Sequence, residues 1–525
     1  MKRYRLLAAA MVILMAAAAA AAVAVGLSTG APDTTRASRT TVAPRTTTAP
    51  RTTVAPSEHS PIKHVIEIML ENHTLDNLFG RFPGAAGIPA RTTMLSPRVD
   101  SSSPPDVHPV FATPNEGDVM GALDNGRAQL QMAMDYAPGQ GYQMDHFTLL
   151  PADLMASITE FGPQFDPNQQ YLARHYELAD HNFQPFIAPT MPNVMGALNG
   201  TSHGWFDNNL NPNDTQPWNS IFDEMTVAGR SWKIYYALPL TVIDGTLWEK
   251  IIPRGHEDDI ASGDQFFTDV AHAELPDFSI VRPGVGYSGE PEEDLGNPDA
   301  WVGQLVSAVA RSPYWNSTAI FVSYDEGGGF WDHVAPPAAS GYGTRTPLTI
   351  ISPYARPGVY HRQTTNVSIL SFMQKMWGLA PLTPLNARQN DLMSAFDFHQ
   401  TPLPPPAMPV APALTLAFHS PAGILTNIAE PGPGQPVPIS LWAETPGLAA
   451  DSAVNGKVQL TVTPPPGVAV PAGIPASVSL TSGRANFTLT FPIAGYYRVA
   501  ATGPADSVGW ATVDVGTTPA TAPPQ

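Results

Sequence analysis

Apolar runs alternate with helix-like segments through the middle of the chain. Residues 64–70 read HVIEIML and residues 318–324 read TAIFVSY, while helix-like stretches lie at 301–310 and 368–377. Strands that are apolar along their whole length are typical of a parallel sheet with helices packed on both faces. The pattern therefore predicts an α/β domain, with a mostly parallel sheet flanked by helices, over residues 58–398.

A different pattern follows the Pro-rich segment TPLPPPAMPVAP, which we interpret as a hinge covering residues 399–412. Beyond it, short segments such as VQLTVTP and ANFTLTF alternate apolar and polar residues and are separated by Gly and Pro. Alternation of this kind with closely spaced turns is typical of antiparallel sheets that bury one face. We predict a small all-β sandwich domain over residues 413–516 and a disordered tail over residues 517–525.

The chain begins with the basic residues MKRYR, followed by an uncharged apolar run over residues 6–27. This is the pattern of an export signal, and the length of the run also suits a membrane anchor, so both interpretations of residues 1–27 stay open. Residues 28–57 contain tandem RTTVAP-type repeats and are predicted to form a disordered linker. We expect a protein that is secreted or anchored to the outer face of the cytoplasmic membrane.

Charge and composition exclude several classes of binding partner and of catalytic chemistry. The 525 residues carry a formal net charge of −18, which argues against nucleic acid as a partner and against adsorption to anionic membranes. Contact with a membrane is expected only through the N-terminal segment, if it is retained as an anchor. The chain contains no cysteine, so disulfides, thiolate-bound zinc and a cysteine nucleophile are excluded.

Two polar pairs follow predicted strands. Asp325 and Glu326 come directly after AIFVSY and precede three glycines, and Glu71 and Asn72 follow HVIEIML. Adjacent carboxylates at the end of a buried strand repel each other unless a cation neutralises them, and oxygen ligands suit hard divalent ions. Ligands of parallel sheets bind beyond the carboxyl ends of the strands, so both pairs, and Ser352 after a third strand, are expected at one edge. An exposed acidic turn is the alternative interpretation of the 325–326 pair.

A hydroxyl and several imidazoles could complete such a site. Thr190 lies between prolines in PTMPN, and a hydroxyl next to a metal can act as a nucleophile, although the same pattern also fits an ordinary turn residue. Histidines that could move protons are spread through the α/β part, and each could instead be a structural hydrogen-bonding group. They are His108, His146, His181, His203, His333 and His361.

Four segments carry a resemblance to a known family. In chain order they are IKHVIEIMLENHTLDNLFGRFPG, FQPFIAPTMPNVMGALNGTSHG, WNSTAIFVSYDEGGGFWDHVAPP and GYGTRTPLTIISPYARPG. Together they resemble the motifs of a bacterial phosphoesterase family that includes non-zinc phospholipases C and acid phosphatase A. That family belongs to the alkaline-phosphatase-like α/β superfamily, so the resemblance implies this fold for the catalytic domain. The N-terminal linker and the C-terminal β region lie outside it.

The resemblance also implies roles for particular residues. Glu71, Asn72, Asp325 and Glu326 correspond to the family's metal-binding residues, and Thr190 corresponds to its nucleophile. The cofactor is therefore expected to be a divalent metal ion, and hard oxygen ligands leave Ca, Mg, Mn and Fe open.

The surroundings of these residues depart from the family pattern. His108, in PPDVHPVF, matches a pocket histidine of the family, and His333 is either a second proton donor or a brace for the acidic turn. Glu290 stands where the family has a histidine, Asn366 replaces a later histidine, and Val194 replaces an arginine after the PTxPN motif. The implied metal-binding residues are retained, while the pocket around the phosphate and the leaving group is altered.

These observations predict an exported, metal-dependent phosphoesterase that hydrolyses phospholipid head groups or phosphomonoesters through Thr190. The substrate partner is thus a small-molecule or lipid phosphate ester. The alternative is a non-catalytic surface binding protein on the same fold, which the altered histidines and the extra β domain favour. A sulfatase-like activity ranks last, because sulfatases need a modified Cys or Ser nucleophile and the chain has no cysteine.

Overall fold

The computed structural model describes residues 60–89, 110–111, 123, 125–149, 156–209, 218–237, 247–248, 251–291, 293–338, 340–420, 423–424, 427–428 and 431–516. The predicted signal or anchor, the linker, His108 and the tail lie outside these ranges. All of the described residues belong to one compact unit. Within the described ranges, no helix has both the length and the apolar character that a membrane crossing requires.

The secondary structure has the following bounds. Helices with both ends in the described ranges are α1 (Leu75–Phe79), α2 (Arg127–Ala133), α3 (Pro167–His175), α4 (Thr190–Asn199), α5 (Ile221–Val227), α6 (Gly263–His272), α7 (Gly296–Ala310) and α8 (Val367–Trp377). Strands of the first part are β1 (His64–Leu70), β2 (Val110–Phe111), β3 (Tyr136–Ala137), β4 (Gly141–Tyr142), β5 (Thr159–Glu160), β6 (Glu177–Ala179), β7 (Asn182–Phe183), β8 (Trp232–Tyr236), β9 (Ile260–Ser262), β10 (Phe278–Arg282), β11 (Thr318–Tyr324), β12 (Leu348–Ile351), β13 (Gly358–Tyr360) and β14 (Thr364–Thr365). The remaining strands are β15 (Thr415–Ser420), β16 (Gly423–Ile424), β17 (Asn427–Ile428), β18 (Pro436–Glu444), β19 (Gly456–Thr463), β20 (Ser477–Leu480), β21 (Arg484–Thr490), β22 (Gly495–Thr502) and β23 (Val508–Val515).

The large sheet contains eight strands in the order β13-β6-β12-β11-β1-β10-β8-β9. Five of its seven pairings within the described residues are parallel, and the two exceptions are the pairings of β12 with β11 and with β6. Nearly every residue of β1 and β11 is buried, as expected for central strands covered on both faces. The predicted mostly parallel α/β sheet is confirmed.

The centre of this sheet positions the candidate site. β1 lies between β10 and β11 and is parallel to both, so the loops that leave these three strands emerge side by side. The buried polar residue of β1 is Glu67, whose Oε1 accepts a 3.0 Å hydrogen bond from Ser323 Oγ on β11. Burial raises the pKa of Glu67 to about 7, although the hydrogen bond opposes that change.

Ser352 does not join the other strand-end residues. β12 is antiparallel to β11, with Ile351 opposite Ile320, so its carboxyl end points to the other edge of the sheet. There Ser352 Oγ donates to the carbonyl of Thr318, at the beginning of β11, over 3.0 Å. The expectation that Ser352 lies near the acidic pairs is wrong, because an apolar run does not reveal the direction of its strand.

The C-terminal strands form a sheet with the order β20-β19-β22-β23-β15-β18-β21. Its pairings are mostly antiparallel, apart from a short parallel contact between β15 and β23 and the parallel pairing of β17 with β23. A bridge between Thr481 and Arg484 connects the two end strands. The sheet surrounds an apolar core that includes Leu441, Tyr497 and Val513. The predicted all-β region is therefore confirmed.

The Pro-rich segment 399–412 lies against the α/β part. Tyr176, directly after α3, donates its hydroxyl to the carbonyl of Pro404 over 2.8 Å. Gln304 on α7 donates its amide to the carbonyl of Pro412, also over 2.8 Å. Proline has no backbone N–H group, so its backbone takes part in such contacts only as a hydrogen-bond acceptor, through the carbonyl oxygen.

The β region contacts α7 and the loop before it. The Arg498 guanidinium donates two hydrogen bonds, of 2.7 and 2.5 Å, to the carboxylate of buried Asp294. Asn297, in the first turn of α7, exchanges two 3.0 Å hydrogen bonds with the backbone of Trp510 on β23. Because the Arg498–Asp294 pair and the Asn297–Trp510 pair each make two hydrogen bonds, they fix the orientation of the β region against α7 as well as holding the two together.

Candidate metal centre and nucleophile

Acidic and basic side chains meet where the three central strands end. β1 continues into Glu71 and Asn72, β11 continues into Asp325 and Glu326, and β10 ends at Arg282. All five side chains are buried. The guanidinium of the arginine pairs with the carboxylate of Glu71. Residues that are more than two hundred positions apart along the chain thus share one site, because neighbouring parallel strands end at the same edge.

Asn72 holds a central position in this site. Its backbone has φ 65°, a left-handed conformation that asparagine tolerates better than most residues. Its backbone N–H donates to Asp325 Oδ1 over 3.1 Å, and its side-chain amide donates to Glu290. The Asn125 side-chain amide donates to Glu326 Oε1 over 2.6 Å and to the side-chain Oδ1 of Asn72 over a longer 3.4 Å. A continuous hydrogen-bond network therefore joins both acidic pairs.

The three glycines after the acidic turn allow a close backbone approach. Gly328 has φ 63°, and a Cβ at this position would lie 2.5 Å from both Cβ and the carbonyl oxygen of Asn72. No side chain fits at that distance. The Gly328 N–H also donates to Glu326 Oε2 over 2.7 Å, which holds this carboxylate in place.

Thr190 is the first residue of α4, and its Oγ1 donates to Glu71 Oε2 over 3.3 Å. The loop before it is fixed by Asn193, whose amide donates to the Ala188 carbonyl over 2.6 Å and accepts from the Phe186 N–H over 3.0 Å. The hydroxyl thus lies at the N-terminus of a ten-residue helix, where the helix dipole favours an anion. The Met191 N–H in this first turn already donates to Asn208 Oδ1 over 2.9 Å.

The electrostatics of the site fit a hard divalent cation. Burial raises the pKa of Asp325 to about 7, and the charge of Glu326 adds to the effect while Arg282 opposes it. Burial likewise raises the pKa of Glu326 to about 8. The Oδ2 atom of Asp325 is buried and has no hydrogen-bond partner among the described residues. With the carboxylates of Glu71 and Glu290 included, four acids face one guanidinium, and this excess of acidic groups favours a divalent ion with oxygen ligands.

The loop that carries Glu290 is held by its own buried acid. Glu293 accepts hydrogen bonds from the N–H groups of Ser288 and Gly289 over 2.6 and 2.9 Å, and burial raises its pKa to about 7. The next residue is Asp294, the partner of Arg498 in the β region. Glu290, beside Asn72, is thus only four positions along the chain from the residue that pairs with the β region.

His333 lies in a neighbouring cluster. Its Nδ1 and its backbone N–H both contact Asp76 Oδ2, over 2.6 and 2.7 Å. The buried Arg345 guanidinium donates to Asp76 Oδ1 over 3.0 Å and to Asp332 Oδ1 over 2.8 Å. No hydrogen bond or ion pair within the described part of the chain joins His333 to Thr190. The geometry places it as a brace for α1, and its role as a proton donor stays a prediction.

Several residues of the site escaped the sequence analysis. Arg282 ends the strand sequence FSIVR, and a charge at the end of an apolar run is the signal that could have revealed it. Asn125 precedes α2 in a segment without a distinctive pattern. In the sequence, Asn366 stands out only as the replacement of a family histidine. Its side chain donates to the carbonyls of Tyr324 and Asp325 over 2.7 and 3.2 Å and supports the backbone of the acidic turn.

Comparison with known proteins places this geometry in context. A model of the Phosphoesterase family matches residues 62–380, more than half of the chain. The chain belongs to the Phosphoesterase family. The resemblance carried by the four motifs is thereby confirmed for the α/β part, and the β region lies beyond the matched residues.

This family member is similar to several phospholipases C. Non-specific phospholipase C6 of Arabidopsis thaliana is 26% identical over 347 residues, which cover 57% of this chain and 63% of the relative. Phospholipase C B of Mycobacterium tuberculosis is 24% identical over 426 residues, covering 65% and 79%. Non-hemolytic phospholipase C of Pseudomonas aeruginosa is 25% identical over 403 residues, covering 64% and 57%. The chain spans less than two thirds of the length of the plant relatives.

Among solved structures, the fold is similar to a protein of the alkaline phosphatase superfamily from Vibrio parahaemolyticus. The two chains are 14% identical, with a TM-score of 0.34, and the match covers 55% of this chain and 73% of the other.

Proposed function

We propose that the chain is an exported, metal-dependent phosphoesterase that hydrolyses phosphate esters through Thr190. The observation that carries the proposal is the 3.3 Å contact of Thr190 Oγ1 with Glu71, whose chain neighbour Asn72 belongs to the buried hydrogen-bond network of Asp325 and Glu326. Membership of the Phosphoesterase family supports the reaction class. The basic and apolar start of the chain supports export.

Four residues would hold the ion. Glu71, Asn72, Asp325 and Glu326 supply carboxylate and amide oxygens, a set compatible with Ca, Mg, Mn or Fe. A divalent ion bound there lowers the pKa of a neighbouring hydroxyl and screens the charge of a phosphate.

The remaining chemistry belongs to the chain itself. Thr190 Oγ1 forms a bond to phosphorus while the bond between phosphorus and the ester oxygen breaks in line. Glu71 Oε2 accepts the hydroxyl's hydrogen bond and is placed to take its proton, and the departing alkoxide takes a proton from solvent. Water then hydrolyses the phosphothreonine and restores the hydroxyl. Positioning and charge neutralisation provide most of the acceleration in such transfers.

The substrate is a phospholipid head group or a phosphomonoester, and two observations favour the diester class. The relatives are named phospholipase C. In addition, the Glu290 carboxylate, bonded to Asn72, brings a further negative charge to the site. A dianionic monoester meets more repulsion from that charge than a monoanionic diester does.

The test uses p-nitrophenyl phosphorylcholine and p-nitrophenyl phosphate with Mn²⁺, Mg²⁺ or Ca²⁺. Thr190→Ala should abolish turnover of both esters. Thr268→Ala is the matched control, because this exposed threonine on α6 bonds only to its own helix and should leave the rate unchanged. Retained turnover in Thr190→Ala would remove this residue from the mechanism. Wild-type protein that is inert on both esters and insensitive to chelator would instead support a non-catalytic binding protein.

A further inference from the structure

Two histidines share one buried carboxylate away from the site described above. Asp180 is fully buried, with Oδ1 2.7 Å from Nδ1 of His181 and Oδ2 2.9 Å from Nδ1 of His361. The His181 side chain is 32% exposed and the His361 side chain is 62% exposed. A buried acid is thus covered by two imidazoles that reach solvent.

Strand pairing explains why these residues meet. β6 and β13 are parallel neighbours, with Ala179 opposite Tyr360, and β7 and β14 are paired just beyond them. The residues that follow β6 and β13 therefore emerge at the same edge of the sheet. The Ala86 N–H donates to Asp180 Oδ2 over 2.8 Å, so the carboxylate is fixed and the exposed rings are the parts that can move.

We propose that Asp180, His181 and His361 form a second metal site, selective for zinc or a similar borderline divalent ion. Two imidazoles and one carboxylate are a donor set typical of zinc, and the exposed side leaves a coordination position for water. One ligand atom from each residue lies within 4.8 Å of the others. The oxygen-only set at the ends of β1 and β11 prefers harder ions, so the two sites differ in selectivity.

The conversion from a hydrogen-bonded trio to a metal site requires only local change. Each neutral ring must present the Nδ1 lone pair to the metal, so the ring proton has to be on Nε2. Metal–ligand bonds of about 2.0–2.2 Å separate tetrahedral ligands by about 3.3 Å, which lies between the 2.7 Å contact of His181 and the 4.8 Å limit that the three ligand atoms satisfy. Rotation of the exposed His361 ring would adjust the distances of its nitrogen. The nearby Arg345 guanidinium forms its ion pairs with Asp76 and Asp332, and its interaction with the charge of Asp180 is weaker.

A bound ion would link the turn after β6 to the turn after β13. Asn182, next to His181, donates to Asn366 Oδ1 over 3.0 Å, and Asn366 in turn supports the backbone of the acidic turn. The second site is therefore expected to stabilise the scaffold behind the candidate active site, and its occupancy should be visible in stability independently of catalysis.

The test removes the first site and titrates zinc alone. The full chain carrying Asp325→Asn and Glu326→Gln is stripped with chelator, and Zn²⁺ binding is followed by calorimetry and metal analysis. We expect about one zinc per chain and a raised unfolding temperature on saturation, since a ligand that binds only the native state stabilises it. His361→Gln in that background should weaken binding at least a hundredfold.

Two further measurements distinguish specific loss of the zinc site from a general effect of substitution or from misfolding. His175→Ala is the matched control, because this exposed histidine bonds only to the Tyr171 carbonyl of its own helix and should leave zinc binding unchanged. The unfolding temperature of each variant without zinc checks that it folds. Absence of zinc binding in the parent, or equal binding after His361→Gln, overturns the proposal and leaves a metal-free hydrogen-bonded trio. Neither result depends on phosphoesterase activity.

Discussion

Replacement of Gly328 by alanine tests the packing of the acidic turn against Asn72. The new Cβ would lie 2.5 Å from two atoms of Asn72, one of them a backbone oxygen, while real contacts are rarely closer than 3.0 Å. The backbone must therefore move by at least half an ångström. Alanine at φ 63° adds about 1–2 kcal/mol of conformational strain, and overpacking of this kind costs about 1–3 kcal/mol.

Gly341→Ala is the matched control. Gly341 has φ 77° in the same part of the chain, but a Cβ there meets nothing within 4 Å. Both variants thus share the conformational strain, and the difference between them isolates the contact with Asn72. We expect Gly341→Ala to lose about 1–2 kcal/mol of stability with unchanged activity. Gly328→Ala should lose about 2–5 kcal/mol in total.

The functional consequence follows from the position of Asn72 among the proposed ligands. A displacement of about 1 Å at a catalytic centre can reduce the rate by about a hundredfold. We therefore expect a loss of that order in kcat/KM for p-nitrophenyl phosphorylcholine in Gly328→Ala, together with weaker binding of the activating metal. Thermal unfolding and steady-state kinetics of the two variants check this. Equal stability and equal activity of Gly328→Ala and Gly341→Ala would refute the reasoning.

Three further outcomes are expected. Arg282→Met leaves the buried carboxylate of Glu71 without its guanidinium and should cost about 3–5 kcal/mol, part of which saturating Mn²⁺ restores; thermal melts with and without metal measure both effects. Burial raises the pKa of Asp299 to about 7, so the folded protein binds this proton more tightly than the unfolded chain does. The resulting stabilisation of the fold is fully present below about pH 4 and is lost as the pH rises to 7. Asp299→Asn should consequently flatten the dependence of the unfolding temperature on pH over that range, and an unchanged slope would contradict the assignment. Arg498→Met strands the buried carboxylate of Asp294, and we expect a loss of about 3–5 kcal/mol and faster limited proteolysis between the two regions than in wild type.

The parts of the fold that the sequence predicts are those with strong local patterns. The apolar runs of β1 and β11 predict buried parallel strands. The residues that follow them, such as Glu71 and Asp325, are then expected to lie close together at the carboxyl edge of the sheet. The same reasoning fails for Ser352, because its strand pairs in the opposite direction. Strand direction depends on the connection between strands, which the apolar pattern does not encode.

Contacts made between distant loops are also beyond local patterns. Arg282 looks like an ordinary strand end until β10 is placed beside β1, and Asp180 meets His361 only because β6 and β13 become neighbours. The domain boundaries remain predictions, as does the proton-donating role of His108, which lies outside the described residues.

The attachment of Arg498 to Asp294 has a consequence for how such proteins diversify. Asp294 lies four residues from Glu290, which contacts Asn72 in the proposed metal-binding network. The C-terminal sheet consequently cannot be exchanged for another without affecting the loop that carries Glu290. A hybrid protein with a sheet from another source would need a new partner for Asp294. Without one, the loop that carries Glu290 would lose its anchor. Recombination at this junction should therefore change substrate preference and stability together.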